Sequence, residues 1–492
     1  MIASGDVAPV SAVGADVIVV GAGVGGLVVA HDLARAGRDV VVIDAAAEVG
    51  GLLRRGTLAG VDIDLGAESF ATRTDAVAAL VADAGLPLEL VAPRPQGAWL
   101  AVATDDGVRR ARLPRRTVLG IPADPEADDV VAIIGADGAA RARDERRVPL
   151  TADAEPSLYD LVAERLGERV ADRLVDTLCR SVYSRPAAEA RLSQLHPGLW
   201  REFVARGSLL EAADAIATGQ RAGAAVGGIA GGLWRLPTAL AEAAASRGAQ
   251  IRTGVAVHAV RADALVVETA SGSLSARHVV IATGPAEAAR LLAGAGVSTR
   301  SARSTTGSAP RSLSEERSDE SKRASAPTAA AVRLVAAAIA HPALAAEPVG
   351  SGVIVDAALP TAAKALTHIT AKWDWARAAT PDGIHLVRLS ARDAAAGTLA
   401  TADEVAREVS ILTGVDVAAA DVVDLVVQEW TDAVVGAAAP DDLPAGIHLA
   451  GAAAAGTGLA SVIPHARDLA ARLDRALAAS LPSSSLHTHP VS

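Results

Sequence analysis

A chain of 492 residues is too long for one simple domain, and with 51% hydrophobic residues it has material for two or three cores. Its formal net charge of −11 argues against non-specific binding to nucleic acid, and its single cysteine, Cys179, excludes an internal disulfide or a cysteine-ligated metal cluster. The most apolar stretch, 328–346, contains Arg333 and His341, so no membrane span is expected, and residues 1–15 lack the basic start of a signal peptide; a cytoplasmic location follows as an expectation.

The most informative stretch is 16–51. Residues 16–20 form an apolar, β-branched run of strand length that ends in Gly21-Ala22-Gly23-Val24-Gly25-Gly26. This satisfies G-x-G-x-x-G at Gly21, Gly23 and Gly26. A segment of helical period closes at Gly37, and a second buried strand, 39–43, ends at Asp44. The unit reads as βαβ with a dinucleotide site. The first glycine permits the tight turn, the second lets backbone approach a pyrophosphate, and the third lets helix pack on strand. The helix N-terminus offers unpaired N–H groups to the phosphates, and Asp44 can accept from a ribose hydroxyl. The motif leaves FAD and NAD both open. Gly50-Gly51, preceded by Glu48, adds an x3-E-x-G-G pattern after Asp44 that resembles the flavin amine-oxidase superfamily, in which it marks FAD.

Further along, 61–65 alternates as a strand, Gly66 to Phe70 reads as a turn, and 74–86 has helical period with Gly85 as its stop. The words DLGAESFATR and the later 113–122 resemble the porphyrinogen oxidases, that is, the coproporphyrinogen III and protoporphyrinogen IX oxidases. Leu52 stands where that family carries a basic residue, and Ala67 where it carries proline. Residues 157–182 read as two helices broken at Gly167, followed by a family-like turn around Tyr183. Gly231-Gly232 precedes a helix starting near Pro237, and 251–260 reads as one strand whose Val257 would lie against an adenine. Short strands are expected at 265–269 and 274–276, and another at 279–282 running into Thr283-Gly284, a second FAD-like signature. Residues 297–327 are rich in Ser, Arg and Glu with few apolar residues, and read as a disordered insert.

Three sheet strands are expected at 349–355, 366–373 and 384–390, where GSGVIV, THITAKWDW and GIHLVRLS resemble the family's substrate sheet. Lys372 and Arg388 read as solvated strand positions more readily than as carboxylate contacts. A helix at 402–412 capped by Gly414 and a strand at 422–430 follow. Finally a strand at 447–450, Gly451, Gly456, Gly458 and a helix at 459–473 resemble a third FAD signature, with Ala452 where relatives carry a polar residue.

The resemblance implies an α/β fold: a discontinuous two-dinucleotide-binding, Rossmann-like FAD domain (1–75, 226–296 and 432–480) and an α+β substrate domain with a mixed sheet and a helical part. The substrate domain would hold 76–225 and 328–431, its helical part about 157–225, with a disordered tail at 481–492. It further implies non-covalent FAD held by Gly21, Gly23, Val24, Gly25, Gly26, Asp44, Gly50, Gly51, Val257, Thr283, Gly284, Gly451, Gly456, Gly458 and Val462. Arg73, Arg180, Tyr183, Arg185 and Lys372 are the substrate candidates, with no catalytic acid or base and no metal. The implied reaction is oxidation of coproporphyrinogen III by dioxygen, with protoporphyrinogen IX oxidase and amine oxidase or carotenoid desaturase chemistry as alternatives. The next enzyme of the haem pathway is the implied protein partner.

Overall fold

The computed structural model describes residues 14–104, 107–147, 155–182, 185–217, 226–295, 332–391, 398–430, 442–456 and 458–480; the expected insert, the tail and Tyr183 lie outside them. Strand Ala15–Val20 runs parallel to Val40–Ile43 on one side and to Gly272–Ile281 on the other. Gln250–Arg252 and Ile447–Leu449 extend this parallel set, and Val266–Thr269 and Val257–Arg261 complete a seven-stranded sheet in antiparallel fashion. Both faces are covered. Val17 and Val19 pack into a core with helices Val24–Arg35, Arg235–Ala245 and Leu459–Ala479, whereas Ile18 and Val20 meet helix Pro285–Gly294. A parallel strand buried on two faces needs an unbroken apolar run, and the sequence supplies one here.

The second sheet also has seven strands, in the order Val422–Trp430, Val332–Ile339, His385–Ala391, Ala363–His368, Gly352–Val355, Ala98–Thr104 and Gly107–Arg112. All its pairings are antiparallel except that of Gly352–Val355 with Ala98–Thr104, so the sheet is mixed. One face packs on helix Ala402–Thr413, which begins with a capping box between Thr401 and Glu404 and stops at left-handed Gly414. The hairpin Arg55–Leu58/Val61–Asp64 lies against Ala336, Ala338 and Leu386 of this sheet and against Trp373. Helices between Asp128 and Ile216 form a separate core with Leu100 and Val102. Among the described residues, no helix is long and apolar enough to cross a membrane.

Several expected elements are corrected. The strand read at 251–260 is two: Gly254, at φ +70°, turns the chain out of the parallel sheet, and the next strand starts at Val257. Conversely, 274–276 and 279–282 belong to one strand, Gly272–Ile281, which pairs antiparallel at its start and parallel at its end. The alternation at 366–373 carries a strand only to His368; the chain then turns helical over Ile369–Lys372, so that Trp373 can drop into the core beneath the hairpin. Only Gly352–Val355 of 349–355 is strand, because Gly350 lies at φ +55° in the turn before it. Strand Val332–Ile339 and helix Asp128–Arg143 lie where no element was expected, whereas helix Pro197–Arg206 falls in the expected helical part, about 157–225. The last helix runs on to Ala479.

Candidate active site

The three glycine signatures meet at the C-terminal end of the parallel strands. A Cβ on Gly21 (φ +109°) would lie 2.7 Å from the carbonyl oxygen of Ala282, beside Thr283 and Gly284. One on Gly25 would lie 2.6 Å from the Cα of Gly451 and 3.2 Å from Val462, where the starts of helices Val24–Arg35 and Leu459–Ala479 abut. One on Gly26 would collide with the carbonyl of Gly21. Gly50 (φ +129°) donates its N–H to the Ala22 carbonyl at 2.9 Å and bridges to Gly23, with Gly51 at φ +60° alongside. Gly451, Gly456 and Gly458 all hold positive φ. Val24 is buried behind the turn, and Thr283 and Gly284 lead into helix Pro285–Gly294, which Gly284 N-caps.

Gly23 differs from its neighbours. Its φ of −72° and ψ of 172° suit any residue, and among the described residues a Cβ there would meet nothing within 4 Å. The protein's own packing therefore gives no reason for glycine at this position. A ligand approaching the backbone at the start of helix Val24–Arg35 does, and the free N–H groups there suit a pyrophosphate. The cradle fits a dinucleotide.

Asp44 stands at the end of the second strand, with Oδ2 accepting from the Ala22 amide at 2.6 Å and Oδ1 from the Ala46 amide at 2.8 Å. It fastens the glycine turn from behind. A carboxylate has further lone pairs, so this does not spend its capacity for a ribose hydroxyl. The Asp44 carbonyl accepts from Val255 at 2.8 Å, which brings the Val257 strand to the same end of the sheet. Val257 is buried, and its carbonyl already accepts from Arg290 Nη2 at 3.0 Å.

Beyond Gly51, on the side of the second sheet, lies a cluster of charges that sequence patterning misread. Lys372 and Arg388 are not solvated: both side chains are nearly buried, and they share Glu68, with Lys372 Nζ 2.6 Å and Arg388 Nη2 3.6 Å from its two oxygens. Arg388 also donates to the Gly66 carbonyl, which ties the turn after strand Val61–Asp64 to strand His385–Ala391. Burial pushes the Glu68 carboxyl up, but Arg388 and Lys372 outweigh it and hold the group below its usual value. Asp64 accepts from the amides of Leu233 and Trp234 at 2.9 and 2.8 Å, at the start of helix Arg235–Ala245. Burial raises its pKa to about 7 against the pull of those two N–H groups. Trp430 donates its indole N–H to the Leu65 carbonyl at 3.1 Å and touches the edge of Gly66. The sequence carried only part of the signal: Asp64 stands between Ile63 and Leu65, but nothing local pairs Glu68 with Lys372 or Arg388.

The other expected substrate residues stand apart. Arg73 is exposed between Phe70–Ala71 and helix Ala76–Ala84. Arg180 is exposed and pairs with Asp176 at 2.6 Å one helical turn back, and Arg185 is exposed just after the same helix. Among the described residues, none of the three shares a hydrogen bond or ion pair with Lys372.

This chain belongs to the flavin containing amine oxidoreductase family, whose pattern matches residues 24–441. It is thus a flavoprotein oxidoreductase by family. It is 30% identical over 434 residues to coproporphyrinogen III oxidase of Mycobacterium leprae (strain TN), covering 84% of this chain and 86% of that protein. Among solved structures it resembles a protein of Exiguobacterium sp. 255-15 provisionally described as a protoporphyrinogen oxidase, at TM-score 0.73 and 19% identity over 95% of this chain and 100% of that one. Cyclohexylamine oxidase from Brevibacterium oxydans IH-35A superposes at TM-score 0.57 and 18% identity, over 94% of this chain and 100% of that one. The last two likenesses establish the fold, a flavin amine oxidase-type α/β architecture with mixed sheets.

Proposed function

We propose that this protein is an FAD-dependent porphyrinogen oxidase that converts coproporphyrinogen III to coproporphyrin III, in three two-electron steps with dioxygen as acceptor and hydrogen peroxide as product. The observation that carries the reading is the likeness to coproporphyrinogen III oxidase across 84% of the chain, which takes in both sheets and not the nucleotide motif alone. The open backbone at Gly23 supports a dinucleotide, and the family supports a flavin.

When bound, FAD supplies the chemistry, accepting a hydride equivalent from a bridging carbon and passing electrons to dioxygen. The chain's part is binding and orientation. The start of helix Val24–Arg35 would hold the pyrophosphate, and Asp44, which keeps the glycine turn in shape, would accept from a ribose hydroxyl. Glu68, Lys372 and Arg388 fix the Gly66 turn against the second sheet. A cytoplasmic site of action, and passage of the product to the next haem-pathway enzyme, belong to the same proposal.

Anaerobic mixing of the purified yellow protein with each porphyrinogen, while following flavin bleaching, tests this directly. Coproporphyrinogen III should bleach the flavin faster than protoporphyrinogen IX, and air should restore the colour with peroxide formed. Bleaching by simple amines but by neither porphyrinogen would overturn the proposal in favour of an amine oxidase.

A further inference from the structure

We propose that Arg54, whose guanidinium lies over the Trp430 ring at the end of the site beyond Gly51, is a substrate-binding residue that takes a carboxylate of the porphyrinogen. This rests on the function proposed above and adds to it a residue that no sequence motif singled out. The Arg54 guanidinium lies 5.7 Å from the centre of the Trp430 ring, and its own backbone carbonyl accepts from Leu65 at 2.9 Å. Trp430 is in turn anchored to the Leu65 carbonyl, and Gly66 packs between the carbonyl of Leu52 and the edge of the indole. Arg54, Gly66 and Trp430 therefore form one corner, three residues along the chain from the glycine cradle.

Arg54 is exposed, and among the described residues no carboxylate pairs with it. Its neighbour Arg55 is different, lying within 3.7 Å of Glu48 and 3.6 Å of Asp62. An arginine held by an aromatic face keeps its donor fork free, and that fork matches a carboxylate with two parallel hydrogen bonds. The charge balance points the same way. A chain of net charge −11 repels a tetracarboxylate at long range, so the site needs local positive charge to receive it. In this corner Lys372 and Arg388 share the Glu68 carboxylate, and Arg54 adds a further cation on the outside.

Steady-state kinetics of the holoenzyme and of Arg54→Ala and Arg54→Lys test the assignment, with coproporphyrinogen III and the dicarboxylate protoporphyrinogen IX as substrates. Arg54→Ala should raise KM for the tetracarboxylate about 10- to 100-fold, the range of a hydrogen bond to a charged group, with kcat and FAD content within about twofold of wild type. The rise should be smaller for the dicarboxylate, and Arg54→Lys should recover only part of the loss. If Arg54→Ala does not fold, Arg54→Gln gives the same readout. Unchanged KM for both substrates, an equal rise for both, or loss of FAD would each overturn the assignment. A wild-type protein that oxidises neither porphyrinogen would remove the proposed function and this inference together, whereas an active wild type with an indifferent Arg54→Ala removes this inference alone.

Discussion

Glycines in one motif answer to different demands, and single substitutions should separate them. At Gly26 a side chain would strike the Gly21 carbonyl, and at Gly25 it would strike the backbone of Gly451, so alanine at either position strains the apoprotein itself. Overpacking of this kind costs about 1–3 kcal/mol, and more where backbone must move. Gly23 has open space and an ordinary backbone conformation. Gly23→Val should therefore leave the apoprotein's urea midpoint close to wild type and yet abolish FAD uptake, read as flavin absorbance after gel filtration. A variant that still binds FAD would show that no ligand approaches this backbone. The same scale decides the fate of Glu68. It is the carboxylate shared by two nearly buried cations, and Glu68→Gln would leave Lys372 and Arg388 without a counter-charge. Breaking a buried pair in this way costs about 3–5 kcal/mol, which equilibrium unfolding in urea will measure. A loss under about 1 kcal/mol would mean that water screens the cluster well.

Elements bounded by glycines or caps were legible in the sequence, and those defined by what they pack against were not. The break at Gly167 and the stops at Gly85 and Gly414 all follow from backbone conformations that other residues adopt at a cost. The first nucleotide unit was readable because strand, turn and helix each obey a local rule. Residues 366–373 were misread because alternation continues past the point where the strand ends. What stops the strand is tertiary: Trp373 is buried under the hairpin and against Gly228, where even a Cβ would lie 2.6 Å from the indole. Strand Val332–Ile339 was missed for a related reason. It lies inside the second sheet, paired on both edges, and its alanines carry no pattern that a surface would impose. In the site, the glycines were readable one by one, while the Glu68 cluster needed contacts between residues more than three hundred positions apart. Trp373→Ala measures the weight of this tertiary term. It should cost about 3–5 kcal/mol, as for a large buried aromatic, and should loosen the helical turn Ile369–Lys372 that presents Lys372. Hydrogen exchange at that turn will show it. Unchanged protection there would mean that the turn holds itself.

Across the whole molecule, buried titratable groups pull stability in opposite directions as pH changes. Burial lowers the pKa of His368 to about 3, helped by His385, Arg94 and Arg377, and that of His448 to about 4, helped by His278 and Arg472. Each is neutral in the fold and takes up a proton on unfolding, where its ordinary value is 6.5, so each contributes stability that is lost as pH falls below 6.5. Asp64 works the other way. Its carboxyl stays protonated in the fold up to about 7 but ionises near 3.8 when unfolded, so its stabilisation is present at low pH and lost as pH rises through that window. Between roughly pH 4.5 and 6 the two histidines bring about one and a half protons to the unfolded state while Asp64 gives up somewhat under one. Histidines 278, 385 and 465, whose pKa values are also lowered by burial, add to the first side. The unfolding free energy should therefore rise with pH across this range, with net proton uptake on unfolding. Asp64→Asn sharpens the test. Below about pH 6 the variant should be less stable than wild type, because its amide nitrogen cannot accept from the Leu233 or Trp234 N–H as both carboxyl oxygens do. With the opposing group removed, its pH slope should steepen by about one proton. Urea unfolding of both proteins at several pH values gives the slopes. Parallel curves for wild type and Asp64→Asn would mean that Asp64 is ionised in the fold at pH 6, held so by the helix start it caps.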